Sequence, residues 1–443
     1  MEQKVTHWRM PLLAVLGLVA GLALLRAVWL GLTAGYDLEI VLTSARAWWQ
    51  GLDVYEPETF RAVWDEMSGE RTRTFEEGEA SSLYPPSTYV LFAPLSAVGL
   101  PMARMIWTGL NVAALVLASG ALAKWVAIAT PSRGWVTLAW IFLATMLLYA
   151  VQTHFRFGQT AIVSVALMLW ALATFDTGRT YDRPMSRGRW VLAVLAAGTA
   201  VAIKPQLALP LLGYAVLRGW WAATVGSVGV ALAWLALGWG WMAWHGQSVF
   251  PGLPRNVQRI GDTGISSAKL DSVYRHQLIN THVLVHALIE DARVVAWVVR
   301  CLVGVVALSV AAAVWKHGRQ TDALAALSAI AALSLMVTYH RGYDAVVLMP
   351  AVAWCVRELV TARRSGMPRP AVWVTVVLLL PLATPGGTLM TTVADKHWLP
   401  DVLRNTWAWN ALLVPFQAWS ISGLSLWFAW LTWRGPSDSA SED

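Results

Sequence analysis

Apolar runs close to 20 residues long recur along almost the whole chain, and they restrict its possible folds more than any other feature. A helix of about 20 apolar residues is what crossing the hydrocarbon core of a membrane requires. Of the 443 residues, 57% are hydrophobic and only 13% are charged, which is unusual for a soluble domain. The sequence therefore predicts an all-α, polytopic membrane protein.

These runs predict about 12 transmembrane helices. The first is placed at residues 10–32, which is too long for the apolar core of a signal peptide and lacks a convincing cleavage site. The remaining spans are expected at 103–126, 135–152, 158–176, 190–203, 205–218, 220–244, 291–315, 322–339, 343–361, 371–388 and 409–433. Residues 1–433 would then form one integral-membrane domain, followed by a disordered tail at 434–443.

The formal net charge of +7 comes from Lys and Arg spread over short loops between apolar runs. This distribution matches the excess of positive charge in cytoplasmic loops and does not call for a nucleic-acid partner. It predicts that both termini are cytoplasmic and that two larger loops, residues 33–101 and 245–289, lie outside. The second of these is polar enough to cover the membrane surface as a soluble flap.

The apolar piece at residues 87–100 leaves one alternative in this topology. At about 14 residues it suits an interfacial or re-entrant segment better than a crossing. If it did cross, every later loop would invert and the most basic loops would face outward, which disfavours that arrangement.

Three polar groups are predicted on the same outer side of the membrane. Asp37 follows the first span and is either a general base, shielded from water, or a helix-initiating acid. Glu39 would face away on a helix and is the weaker candidate. Lys204 interrupts two apolar runs, and is either a cation that binds a phosphate or a snorkelling side chain before Pro205.

The third group is the turn that contains His340, Arg341 and Asp344. At a spacing of four residues, Asp344 would orient the imidazole of His340 if a helix begins there, although an ordinary polar turn is the alternative. A further external turn carries Arg156, which suits an anion, and Gln159, whose amide suits sugar hydroxyls. Arg275 in the second loop is a further phosphate candidate, or simply a solvated charge.

Motifs of several other enzyme classes are absent from the sequence. It contains no phosphate-cradling Gly-rich loop, no Gly-x-Ser-x-Gly elbow and no His-Glu-x-x-His zinc pair. A soluble nucleotide donor, a cofactor and a catalytic metal are therefore not expected.

In the order of its motifs, the chain resembles glycosyltransferase family 87, membrane enzymes with the C-type glycosyltransferase architecture. The similar pieces are Tyr36-Asp37, the segment from Ala47 to Tyr55, Tyr84-Pro85-Pro86, Phe157-Gly158-Gln159, Lys204-Pro205-Gln206 and the turn at His340. Each is short, so the specificity lies in their order and in the shared hydropathy profile. Thr160 and Ala161 depart from the Asn that commonly follows Gly-Gln in such proteins.

The resemblance implies an inverting, single-displacement transfer in which Asp37 is the general base and His340 assists. The donor would be a polyprenyl-phosphate sugar, most often mannose, and the acceptor a glycolipid or polysaccharide outside a bacterial inner membrane. Arabinofuranose is the alternative sugar, and a transporter of envelope lipids is the alternative class. The residues implied for the donor phosphate are Lys204, Arg341, Arg156 and Arg275, and those for the sugar or acceptor are Gln159, Tyr36, Trp48 and Tyr84.

Overall fold

The computed structural model describes residues 2–68, 82–129, 134–180, 185–247, 249–262, 267–269, 272, 275–337, 340–365, 370–396, 400 and 406–435. Most of the predicted C-terminal tail, from residue 436 onward, lies outside the described residues. No strand occurs in the ranges described, where one antiparallel bridge pairs Leu278 with Arg341. The prediction of an all-α protein is confirmed.

The helices of the first half of the chain are α1 (Glu2–Thr33), α2 (Tyr36–Trp49), α3 (Pro57–Ser68), α4 (Pro86–Ser96), α5 (Leu100–Ala129), α6 (Gly134–Met146), α7 (Tyr149–Phe157), α8 (Ala161–Thr180), α9 (Arg187–Ile203) and α10 (Pro205–Leu217). Those of the second half are α11 (Trp221–Trp244), α12 (Val249–Asp262), α13 (His282–His286), α14 (Ala292–His317), α15 (Ala323–Val337), α16 (Met349–Ser365), α17 (Pro370–Leu379), α18 (Gly386–Asp395) and α19 (Phe416–Arg434). Short 3₁₀ segments occur at Arg275–Gln277, Gly318–Gln320, Gly342–Leu348 and Leu380–Ala383, and a π-helical turn at Trp409–Leu413.

Within the described residues, five helical stretches are long and apolar enough to cross a membrane, or six if the bent pair α6–α7 is one crossing. They are Ala14–Trp49, Leu100–Ala127, Trp221–Trp244, Ala292–His317 and Gly342–Ala362. The predicted total of about 12 is not confirmed, because several apolar runs form helices of only 10–17 residues. A helix of 15 residues extends about 22 Å, less than the roughly 30 Å of a hydrocarbon core.

The predicted first external loop contains three short helices, α2 to α4. Helix α4 covers most of the ambiguous piece at residues 87–100 and has 11 residues, which corresponds to about 16 Å. That length is about half of what a crossing needs. Helix α4 also packs against α2, α9 and α11, so it belongs to the body of the protein.

The predicted second loop is not a free flap. Asn256 of α12 is fully buried, and its side-chain amide donates to the backbone carbonyls of Tyr55 and Ser82 at 3.2 Å each. Farther along, the backbone N–H of Ile279 donates to the carbonyl of His340 at 3.1 Å. Part of the loop therefore packs against two other segments and satisfies their backbone groups, while residues such as Arg255 and Gln258 remain exposed.

Helix α15 lies in the centre of the larger hydrophobic core, and almost all of its residues are buried. It packs against α10, α14, α16 and α19. Its small Ala and Ser side chains allow these neighbours to approach closely, as in other membrane helix bundles. Helices α10 and α15 therefore support the residues near their ends, Lys204 directly before α10 and His340 three residues after α15.

Candidate active site

Five polar side chains from four separate segments form one connected chain of contacts. Gln159 donates a hydrogen bond from Nε2 to Asp37 Oδ2, and its Oε1 accepts one from Lys204 Nζ at 3.1 Å. Lys204 Nζ also lies 2.5 Å from Asp344 Oδ1, and His340 Nδ1 lies 2.9 Å from Asp344 Oδ2. We call Asp37, Gln159, Lys204, Asp344 and His340 the polar cluster. The structure thus brings together the three groups that the sequence predicted on one side.

Lys204 reaches the cluster because the chain breaks between α9 and α10. Its φ of −146° and ψ of 78° are non-helical, as expected for a residue directly before a proline. Its backbone N–H still donates to Ala200 at 3.1 Å, and its carbonyl accepts from Leu207 and Ala208. Pro205 begins α10 at a position where its missing N–H costs nothing. The Lys-Pro pair therefore places an ammonium group at a helix junction whose backbone is satisfied.

Gln159 reaches Asp37 because of the glycine before it. Gly158 ends α7 in the left-handed region, with φ of +69°. A Cβ at Gly158 would lie 2.6 Å from Leu38 Cβ and 3.3 Å from Gly35 Cα, so only glycine permits this approach to the start of α2. The indole N–H of Trp107 donates to the Gly158 carbonyl at 3.0 Å and holds the turn in place.

Asp344 and His340 lie in and just before the 3₁₀ segment that follows α15. The backbone N–H of Asp344 donates to the Arg341 carbonyl at 2.9 Å, which turns its carboxylate toward both His340 and Lys204. His340 is fully buried and Asp344 nearly so. The predicted contact between them is present, although the segment is a 3₁₀ turn and not the start of an α-helix. Lys204 was predicted to bind a phosphate, and in the structure its anionic partner is Asp344.

Asp37 is the half-buried end of the cluster. It lies in the first turn of α2, after Gly35, whose φ is +118°. Arg341, Lys204 and Asp344 are the charged groups that act electrostatically on its carboxylate. Glu39, the weaker candidate, instead forms a buried ion pair with Arg104 of α5. Glu39 therefore secures α2, while Asp37 is the carboxylate that faces the cluster.

A cavity of about 280 Å³ adjoins this end of the molecule. Arg156 and Arg341 line it from two sides, together with Phe157 and Tyr343, whose rings lie 5.9 Å apart. Tyr343 also lies near the polar cluster, since Lys204 Nζ is 5.2 Å from the centre of its ring. The cavity has two guanidinium groups in its lining and suits an anionic group, and one of them, Arg341, acts electrostatically on Asp37.

Three of the predicted site residues contact backbone carbonyls or aromatic rings outside the polar cluster. Arg275 is 3% exposed and donates to the carbonyls of Val283 and Asn410 at 3.0 and 2.9 Å, and burial lowers its pKa to about 10. Trp48 is buried, with its indole N–H donating to Gly238 of α11 at 3.1 Å. Tyr36 packs edge-on against Trp64 at 6.3 Å. These contacts join elements of the fold, and none of them belongs to the polar cluster.

Tyr84, the remaining residue predicted for the sugar or acceptor, lies near two carboxylates of the polar cluster. Burial, and then the nearby Asp37 and Asp344 carboxylates, raises the pKa of its phenol well above the usual value. The phenol consequently stays protonated over the physiological range and remains a hydrogen-bond donor. Its backbone carbonyl accepts from the hydroxyls of Tyr55 and Tyr89, at 3.1 and 2.7 Å, and this fixes the Tyr-Pro-Pro segment.

The residues that support the polar cluster, among them His154 and Arg104, were not identified from the sequence. His154 is buried, and its Nε2 lies 2.9 Å from the Asn111 side-chain oxygen, while its backbone carbonyl accepts from both Gly158 and Gln159. His154 could have been found from the sequence, because it is a histidine among apolar residues shortly before Phe157-Gly158-Gln159. Arg104, a cation near the start of an apolar run, was the signal for the ion pair with Glu39.

The sequence model of glycosyltransferase family 87 matches residues 83–338, more than half of the chain. The chain belongs to glycosyltransferase family 87. The match includes Gln159 and Lys204, begins after Asp37 and ends just before His340. Family membership thus rests on the middle of the chain, and the roles of Asp37 and His340 rest on their geometry.

One curated relative is the polyprenol-phosphate-mannose-dependent alpha-(1-2)-phosphatidylinositol mannoside mannosyltransferase of Mycolicibacterium smegmatis. It is 27% identical to this chain over 292 residues, which cover 62% of the chain and 58% of the relative. The chain therefore spans less than two thirds of that relative's length. No solved structure matches the chain, so the expected C-type architecture is not confirmed by a structural neighbour.

Proposed function

We propose that this protein is a membrane glycosyltransferase that transfers mannose from a polyprenyl phosphate to an acceptor hydroxyl, with Asp37 as general base. The observation that carries the proposal is the position of Asp37, a half-buried carboxylate at the open end of an otherwise buried polar cluster. Membership of glycosyltransferase family 87 supports the reaction class. The mannosyltransferase named among its relatives supports the sugar.

The reaction is a single displacement at the anomeric carbon. Asp37 takes the proton of the acceptor hydroxyl as its oxygen attacks, the new glycosidic bond forms, and the bond from the anomeric carbon to the phosphate oxygen breaks. The polyprenyl phosphate leaves with the electron pair of that bond, so the configuration inverts. Such general-base assistance typically contributes about 10²- to 10⁴-fold in rate.

Gln159 and Lys204 hold the base in position. Because the Gln159 amide donates to Asp37 and accepts from Lys204, the carboxylate has a fixed orientation and keeps one oxygen for the substrate. Lys204 is itself neutralised by Asp344, with which it forms a contact of 2.5 Å. It therefore acts as a positioning residue that joins the two carboxylates, with His340 behind Asp344.

Arg341 and Arg156 are the groups we assign to the leaving phosphate. Both line the cavity next to the cluster, and a guanidinium is suited to binding two phosphate oxygens at once. We propose that these cations, and not a divalent metal, neutralise the charge that develops on the phosphate. Transfer should then persist after treatment with a chelator.

We further propose that the acceptor is a glycolipid and that the reaction takes place on the outer face of a bacterial inner membrane. The glycolipid assignment follows the relative, whose name contains a phosphatidylinositol mannoside. The basic loops support this orientation, with both termini inside, because Lys and Arg are enriched in cytoplasmic loops.

The experiment is transfer of radiolabelled mannose from polyprenyl-phosphate-mannose to a glycolipid extract by the purified full-length protein. Asp37→Asn keeps the shape of the side chain but removes the base, so transfer should fall about 10³-fold. Donor binding should remain, because Gln159 can still hydrogen-bond to the Asn oxygen. Glu58→Gln is the matched control, since Glu58 is an exposed carboxylate of the same loop and should leave transfer unchanged.

The outcomes of this experiment test the base, the sugar and the reaction class separately. Undiminished transfer by Asp37→Asn would contradict the assignment of the base. Transfer by the wild type from polyprenyl-phosphate-arabinofuranose alone would replace mannose with the pentose and keep the mechanism. Translocation of a lipid-linked sugar across vesicles, with no transfer from either donor, would favour a transporter.

A further inference from the structure

A second cavity, of about 300 Å³, lies at the other end of α9 and α10 from Lys204. Trp190 near the start of α9 and Trp220 just after α10 both line it. Trp190 precedes Lys204 by 14 residues, which corresponds to about 21 Å along a helix. This cavity is therefore separate from the polar cluster and from the cavity lined by Arg341.

The walls of this cavity are aromatic and apolar. Besides the two tryptophans, its lining includes Trp221, Phe175 and Met185. The Phe175 ring packs edge-on against Trp220 at 5.9 Å. A space with such walls takes a hydrocarbon chain more readily than a polar metabolite.

One polar atom in the lining lacks a partner within the part of the chain that the structure describes. Trp220 is 6% exposed, and its indole N–H makes no hydrogen bond to any of those residues. A buried donor left in this way costs about 1–3 kcal/mol, and a ligand that offers an oxygen would recover that cost. The cavity is therefore suited to an apolar ligand that carries a hydrogen-bond acceptor.

The rim of the cavity is basic. Arg187 and Arg189 lie exposed in the first turn of α9, and Arg187 precedes Trp190 by three residues, which places both on the same side of the helix. Arg189 acts electrostatically on Lys124 of α5, so one further cation lies close to it. Arg218 is also near but forms an ion pair with Asp176, at 3.4 Å, so its charge is largely matched.

We propose that this cavity binds an anionic glycerophospholipid of the leaflet opposite the polar cluster. An acyl chain occupies the aromatic cavity, an ester carbonyl accepts from the Trp220 indole, and the phosphate lies against Arg187, with Arg189 adding to the positive charge nearby. Basic pockets between membrane helices suit lipids of this charge, and each nearby cation contributes about 1 kcal/mol. The proposal is independent of the transfer reaction, because no residue of the polar cluster takes part.

The test is native mass spectrometry of the full-length protein in detergent, titrated with dioleoylphosphatidylglycerol or with dioleoylphosphatidylcholine. The two lipids have the same acyl chains and differ in net charge. Phosphatidylglycerol should be retained at lower concentration than phosphatidylcholine. Arg187→Gln should weaken that retention about fivefold, since it removes one cation from the rim, and Trp220→Phe should weaken it through loss of the N–H alone.

Arg293→Gln is the matched control. Arg293 is an exposed arginine in the first turn of α14, outside the cavity, and its removal should leave retention unchanged. If Trp220→Phe does not fold, the exposed pair Arg187→Gln/Arg189→Gln still tests the site. Equal retention of the two lipids, or equal retention by wild type and by the arginine double variant, would overturn the proposal.

Discussion

The two ends of the helix bundle both bury charged groups, but in different ways. At the end away from the cluster, Arg357 forms a two-pronged ion pair with Asp322, at 2.8 and 2.5 Å. Asp322 also accepts the first backbone N–H groups of α15. These contacts give both carboxylate oxygens of Asp322 a hydrogen-bond partner. This arrangement is closed, and its groups satisfy one another.

The polar cluster resembles that arrangement over most of its length, since Lys204, Asp344 and His340 also satisfy one another. It differs at Asp37. Asp37 and Asp322 are both half-buried, but Asp322 is paired with a guanidinium, whereas Asp37 accepts from the neutral amide of Gln159. The comparison teaches that burial of charge alone does not mark a site in this protein. What marks it is a carboxylate that is held by a neutral partner and has no direct ion pair among the described residues.

The largest expected effect comes from breaking one ion pair at each end. Lys204→Met leaves Asp344 buried without its cation and should lower the free energy of unfolding by about 3–5 kcal/mol. Arg357→Met removes the cation from Asp322, whose side chain is 21% exposed, and should lower the free energy of unfolding by less. Thermal unfolding of the purified proteins in detergent measures this loss, and transfer per folded molecule should vanish only for Lys204→Met.

Double variants separate the two ends further. Neutralising the stranded carboxylate, as in Lys204→Met/Asp344→Asn and Arg357→Met/Asp322→Asn, should recover most of the stability at both ends. Transfer should stay lost in Lys204→Met/Asp344→Asn, because this variant still lacks the contact that positions Gln159. It should stay at the wild-type rate per folded molecule in Arg357→Met/Asp322→Asn. Recovery of transfer in Lys204→Met/Asp344→Asn would show that the cluster is as purely structural as the other end.

Substitution of one glycine near each end of the bundle should have a smaller effect on stability than loss of the Lys204 ion pair. Gly158 and Gly219 have almost the same backbone conformation, with φ of +69° and +70°. A Cβ at Gly158 would meet Leu38 at 2.6 Å, whereas one at Gly219 would meet nothing within 4 Å. Alanine should cost about 1–2 kcal/mol at both positions through backbone strain, and a further 1–3 kcal/mol or so at Gly158 through overpacking.

Transfer should respond to only one of these glycine variants. Gly158→Ala pushes the turn away from α2 and separates Gln159 from Asp37, so we expect transfer to fall at least about tenfold. Gly219→Ala should transfer at the wild-type rate per folded molecule. Equal rates for both variants would mean that the contact between Gln159 and Asp37 does not matter for the reaction.

The sequence predicted the local parts of this site well and the distant pairings poorly. The break at Lys204 was predictable because a proline after a charged residue, inside apolar sequence, is typical of a junction between two helices. The ion pair of Lys204 with Asp344 was not, because the two residues are 140 positions apart and nothing local connects them. A buried cation requires an anion, and the sequence could not tell a carboxylate of the chain from a ligand's phosphate.

The predicted number of membrane crossings is not confirmed, for a similar reason. Composition detects apolar runs, but it does not show where a run bends. Helices α6 and α7 meet at 73° near Leu147 and Leu148, where neither Pro nor Gly marks the bend. Packing against α1 and α5 determines that geometry, and packing is not visible in hydropathy.

The smallest expected effect concerns Arg341 and Arg275, both predicted from the sequence to bind the donor phosphate. Arg341 lines the cavity beside the cluster, whereas the Arg275 guanidinium donates to two backbone carbonyls. Arg341→Gln should raise the KM for the lipid-linked donor about tenfold, the effect of losing one charge-assisted hydrogen bond, with little change in thermal unfolding. Arg275→Gln should lower the unfolding temperature and leave KM unchanged. A raised KM in Arg275→Gln, with Arg341→Gln like the wild type, would move the phosphate site from the cavity to the second loop.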